Sequence, residues 1–104
     1  MKTLPVVLTP EAEADLDGIG LFIVGNGAHP LTAVGYLNRI RDRCRKIGLS
    51  PHGGVARDDI HPGLRMVPFE KSAVVLYRVT KDAVAIVSII YGGRDYEALM
   101  RDPS

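Results

Sequence analysis

The sequence predicts an α+β domain with element order β-α-α-β-β-β, a helix hairpin packed on one face of a small antiparallel sheet. Three observations carry this. Two stretches repeat apolar residues at helical spacing, joined by a Gly-Asn-Gly link. Three later stretches are rich in Val, Ile, Leu and Tyr, and their connections are only two or three residues long. One short apolar run precedes the helices.

Leu4, Val6, Val7 and Leu8 form that first strand. Pro5 suits a strand beginning or an edge, where a missing donor costs little. Thr9-Pro10-Glu11 is a helix start: Thr9 caps, Pro10 takes the first helical position, and Glu11 and Glu13 favour the positive end of the dipole. Ala12, Leu16, Ile19 and Ile23 then recur on one helical face, and Gly25-Asn26-Gly27 ends the helix. Pro30 opens a second helix, whose apolar stripe is Ala33, Leu37, Ile40, Cys44 and Ile47. Its other face carries Asn38, Arg39, Arg41, Asp42, Arg43, Arg45 and Lys46. Gly48 caps it and Pro51 stops it. The short link makes the two helices antiparallel.

Residues 51–63 read as loop, with Gly53-Gly54 and His61-Pro62-Gly63. Strands are expected from Leu64 to Phe69, Ala73 to Thr80 and Ala83 to Tyr91, and their short links imply antiparallel hairpins. The last strand is apolar on both faces, which places it centrally. Residues 94–104 are expected as a short helical tail.

The chain of 104 residues is one domain, 1–104. At 46% hydrophobic and 24% charged it has an ordinary globular composition, not a disordered one. A single cysteine excludes a disulfide scaffold and fits a reducing compartment. No apolar run approaches the roughly 20 residues that span a membrane, and the first residues do not form a secretory signal. The expected location is the cytoplasm. A net charge of +1 argues against a general nucleic-acid binder, and no sequence-specific DNA-binding part is apparent. Charge is unevenly spread: residues 1–30 carry −3 and residues 31–104 carry +4.

Several groups combine into a resemblance. They are Ala14-Asp15-Leu16 with Ile19, and Ala33 with Tyr36, Ile40 and Leu49. Pro51-His52-Gly53 with Arg57, Gly63-Leu64-Arg65, Tyr77 with Val79, and Ile89 to Asp95 follow. Together they resemble the ParE/RelE toxin superfamily of type II toxin–antitoxin systems over nearly the whole chain. The closing Gly93-Arg94-Asp95 is similar to the ParE branch. The resemblance implies a toxin that inhibits DNA gyrase by protein–protein binding, forms a hetero-oligomer with a ParD-like antitoxin, and is neutralised by it. The RelE branch, which cuts mRNA at the ribosome, is the alternative.

The chemistry distinguishes these readings. RNA cleavage needs cations around a phosphate and titratable groups for proton transfer. Arg65 and Arg94 are candidates for the phosphate, and Tyr91 or Tyr96 for the proton. Arg57 and Arg78 are further cations. The tail holds no histidine, so this set is thin. Target-binding candidates on the gyrase reading are Arg57, Arg65, Arg94, Asp95 and Tyr96. Antitoxin-binding candidates are Leu21, Phe22, Leu37 and Ile40, with Arg39 and Arg43 from the basic helix face. Leu37 and Ile40 equally suit the core. His29, His52, His61 and Cys44 lack metal-site spacing, and Cys44 reads as a small core residue. No phosphate-cradling glycine motif is present, so no metal or other cofactor is expected.

Overall fold

The structure is a computed structural model that describes residues 3–92. Its elements are β1 (Val6–Leu8), α1 (Pro10–Gly25), α2 (Pro30–Ile47), β2 (Val55–Ala56), β3 (Leu64–Phe69), β4 (Ala73–Val79) and β5 (Val84–Tyr91). Five strands form one sheet in the order β1-β5-β4-β3-β2, with both helices on one face.

The sheet is mixed, which corrects the all-antiparallel expectation. β1 pairs parallel to β5, Val6 opposite Val84 and Leu8 opposite Ile86. The short links fix the direction of β3, β4 and β5 only. β1 is tied to its neighbour across both helices, so no turn dictates its sense. β1 is also shorter than expected: Leu4 N–H goes to Gly48 O instead, and Pro5 O accepts from Val84 N–H. A second addition is β2, two residues inside the expected loop, antiparallel to β3.

The helix starts follow from local chemistry. Thr9 Oγ1 accepts the Ala12 amide at 3.2 Å. His29 Nδ1 accepts the Leu31 amide at 3.0 Å, so this histidine is a cap. Ala12, Leu16 and Ile19 are buried on α1, and Ile23 is half-buried. On α2 the buried stripe is Ala33, Tyr36, Ile40, Cys44 and Ile47. Tyr36 takes the inward place expected of Leu37. Ile40, proposed as an antitoxin contact, has no exposed surface. It packs within the core, which corrects that assignment. Leu37 packs toward α1, where Gly20 lets it approach: a Cβ there would lie 3.1 Å from Leu37 Cδ1.

The loop after α2 crosses one end of the helix-side face and is pinned from below. Tyr77, fully buried on β4, accepts the Gly54 amide at 2.9 Å and donates to Pro51 O at 2.9 Å. A methyl group at Gly54 would collide with the Tyr77 hydroxyl. Tyr77→Phe is expected to cost about 1–3 kcal/mol in chemical denaturation, because both loop groups stay buried without a partner. Gly54→Ala is expected to cost at least as much.

Burial pushes the Cys44 thiol up to about 11 from 9.0. The folded chain therefore holds the proton more tightly than the unfolded one. Stability contributed by this thiol is full below pH 9 and is lost as pH rises toward 11, by about 3 kcal/mol. Cys44→Ala is expected to flatten that part of the stability–pH curve.

Candidate functional site

Two features of the sheet define the candidate surface. β1 accompanies β5 only to Ile86, and β5 runs on to Tyr91. At that point β5 carries a bulge, since Leu76 opposes Ser88 while Tyr77 opposes Ile86, leaving Val87 extra. Asp15 of α1 reaches down to this bulge. Its Oδ2 accepts the Ile89 amide at 2.9 Å and the Ser88 hydroxyl at 3.2 Å. Between α1 and this part of β5 lies a cavity of about 510 Å³, lined by Ala14, Asp15, Gly18, Ile19, Phe22 and Ser88 to Gly92.

An aromatic row closes its far end. Phe22 meets Tyr91 edge-on at 5.7 Å, Tyr91 meets Tyr36 at 5.5 Å, and Tyr36 meets Phe69 at 5.5 Å. The Tyr36 hydroxyl shares a 2.7 Å hydrogen bond with Ser72 Oγ. Burial raises the Tyr36 pKa despite that bond. Ser72 closes the β3–β4 connection, in which Glu70 and Lys71 adopt φ of 47° and 57°. Such φ values are unfavourable without glycine. Arg39 ties the turn down: its guanidinium grips Glu70 at 2.8 and 3.1 Å and lies 5.6 Å from the Tyr36 ring centroid. This bond holds the Glu70 carboxyl below its usual pKa.

Most of the exposed large apolar residues among those described gather at the hairpin tip, while Val7, Leu49 and Val55 lie elsewhere. Leu21 is 76% exposed and Phe22 54%, and Val24, Leu31 and Val34 are exposed beside them. Leu37 is half-buried. The basic face of α2 is largely paired: Arg39 with Glu70, Arg41 with Glu13 across the hairpin, and Arg45 and Lys46 with Asp42. Arg43 is half-buried among them.

Among the described residues, Arg65 and Arg78 do not converge. Register sets Arg65 opposite Tyr77 and Arg78 opposite Leu64, so their side chains leave opposite faces of the sheet. Arg65 Nη1 donates to His52 O at 3.0 Å and Gly54 O at 2.7 Å, holding the same loop that Tyr77 pins. Arg57 is clasped by Asp59 at 2.8 and 2.9 Å, contacts Met66 Sδ at 3.6 Å, and is 11% exposed. Arg94, Asp95 and Tyr96 lie outside the described residues, as does the expected tail. Among the described residues no cluster of His, Cys, Asp or Glu is arranged to hold a metal, and no helix is long and apolar enough to cross a membrane.

A family model described as "ParE toxin of type II toxin-antitoxin system, parDE" matches residues 6–96. The chain belongs to the ParE toxin family. Comparison with curated proteins finds no match. Among solved structures, the chromosomal ParDE toxin–antitoxin system from P. aeruginosa contains a chain that superposes with a TM-score of 0.75. The match covers 86% of this chain and 97% of that one at 23% identity, which speaks for the fold.

Within this ParE-family chain, sequence reasoning missed Asp15 and Tyr77 as anchoring groups. Both stand in the motifs quoted above, but their partners become apparent only once register and loop path are known. Arg65→Ala is expected to free the 52–54 loop, with a loss of about 2 kcal/mol in thermal or chemical unfolding, since two carbonyls lose a charged donor.

Proposed function

We propose that this chain stops DNA replication by binding gyrase, without chemistry of its own, and that a ParD-like antitoxin neutralises it in a cytoplasmic hetero-oligomer. The observation that supports this is the divergence of Arg65 and Arg78 among the described residues. An RNA-cutting site gathers positive charge around one phosphate and sets a titratable group beside it. Here Arg65 is committed to loop carbonyls, Arg78 leaves the other face, and the Tyr91 ring is packed edge-to-face between Phe22 and Tyr36. This supports binding over cleavage. No cofactor enters the reading.

Antitoxin docking is proposed on the hairpin and the adjoining sheet edge. Leu21 and Phe22 offer apolar contact there, and Arg39 and Arg43 lie on the far side of α2. The relative from P. aeruginosa is a ParDE system, which supports a partner of the ParD kind. The target contacts are proposed near Arg94, Asp95 and Tyr96, with Arg57 and Arg65 shaping the surface that precedes them.

Pulse labelling after brief induction in bacteria tests the target. DNA synthesis is expected to stop before protein synthesis, and purified chain is expected to inhibit gyrase supercoiling. Arg94→Ala is expected to weaken that inhibition about tenfold or more, the effect of losing one good charged contact. Protein synthesis stopping first, with mRNA cut at the ribosome in primer extension, would overturn the gyrase reading.

A further inference from the structure

The two flanks of α2 face different neighbours. Arg41 pairs with Glu13, so one flank faces α1. Arg39 pairs with Glu70, so the other faces the β3–β4 connection. Between this second flank and the connection lies a groove of about 480 Å³, with Asn38, Arg39, Arg43, Phe69 and Glu70 among its walls. Four cations and two carboxylates line it, and both carboxylates are engaged. Arg39 grips Glu70 with two hydrogen bonds, and Asp42 takes Arg45 and Lys46 at 2.9 and 3.3 Å. Arg43 is the remainder. It is half-buried, and among the described residues it forms no hydrogen bond or ion pair. A guanidinium that gives up water without gaining an acid stands ready to pair with an anion.

The wall facing α2 is held in shape. Glu70 and Lys71 keep φ of 47° and 57°, and Arg39 together with the Tyr36–Ser72 hydrogen bond fixes them there. Strain held by its surroundings in this way collects at binding sites. The β3 edge beside the groove is a poor template for strand pairing. Leu64 O takes the Arg57 amide on the β2 side, and alternation brings Pro68, which has no N–H, to the same edge. Recognition here falls to side chains.

We infer that this groove anchors an acidic segment of the target protein, one carboxylate of which pairs with Arg43. The inference rests on the gyrase-binding reading above. The surplus guanidinium selects an anion. Asp42 and Glu70 then select among anions: they repel the successive phosphates of a nucleic-acid backbone, whereas a single side-chain carboxylate needs only the one free cation, with the Asn38 amide beside it. Position separates target from antitoxin. Phe22, where the antitoxin is proposed to dock, stands on α1 at the opposite end of the aromatic row from Phe69. The Gly92 amide bonds Ser72 O at 2.8 Å, next to the strained turn, and the target contacts proposed above follow Gly92 in sequence.

The test is binding of the full-length chain to purified gyrase without DNA, by surface plasmon resonance. Arg43→Glu is expected to weaken binding, and supercoiling inhibition with it, about 30-fold or more, because attraction becomes repulsion. The same variant is expected to co-purify with the product of the adjacent gene as the wild type does, which also reports that it folds. Arg43→Gln, uncharged and still polar, is expected to lose about tenfold and decides the matter if charge reversal disturbs the fold. Lys81→Ala, in the β4–β5 turn, is the control with unchanged affinity. Wild-type affinity for gyrase in both Arg43 variants overturns the inference and leaves the gyrase reading standing. Loss of the adjacent gene's product with gyrase binding intact gives the groove to the antitoxin and overturns it too, as does a defect seen only when DNA is present, which gives Arg43 to a phosphate. A wild-type chain that does not bind gyrase removes the gyrase reading, and this inference with it.

Discussion

A three-residue strand lies beside an eight-residue one, and most of what is distinctive about this surface follows from that mismatch. β1 fixes the first part of β5 and then turns into α1 at Thr9, whose amide takes Ile86 O. Among the described residues, no strand neighbours the rest of β5 on that side. α1 must cross the sheet at a height that lets its apolar stripe reach the core, so it covers the face of β5 and not its edge. Asp15 meets the first outward amide beyond β1 and also steadies the bulge that re-aims the strand. The cavity and the exposed Phe22 ring lie past that point.

The opposite end of the sheet is handled differently. There the chain must pass from the end of α2 to the far edge, across the ends of β4 and β3. A buried phenol and a guanidinium hold it down, each bridging two loop groups. Pro51, Gly54, Arg65 and Tyr77 thus form one mechanical unit. Arginines that look free for a phosphate in the sequence are spent on carbonyls and on Asp59. This division closes that end of the sheet with the chain's own side chains.

The helices were legible because their signals are local. Thr9-Pro10, Pro30 and the spaced apolar residues each act within a turn or two, and the three hairpin strands are fixed by their short connections. What the sequence could not give is whatever depends on distant partners. β1 has no turn to set its direction. β2 is two residues long and shows no periodicity. Tyr36 displaced Leu37 from the stripe because its ring packs between Phe69 and Tyr91 while its hydroxyl finds Ser72, an arrangement 36 residues apart in the chain. Ile40 and Leu37 share a helix side in any wheel drawing; only the packing separates a core residue from a partly covered one. Arg65 and Arg78 likewise become divergent only when the register is known.

The uneven charge of the sequence finds its explanation in the same geometry. Four acids stand on α1, and the basic excess follows Pro30. Glu13 meets Arg41, and their mutual hydrogen bond lowers the carboxyl pKa and raises that of the guanidinium. Asp17 adds a weaker attraction to the same arginine. One side of α1 is therefore tied to α2 by charge, an exposed pair that orients the hairpin and adds little to its stability. The other side carries Glu11 and Asp15 along the open edge of β5. An acidic rim above an apolar trough repels acidic chains and steers basic ones before any contact forms.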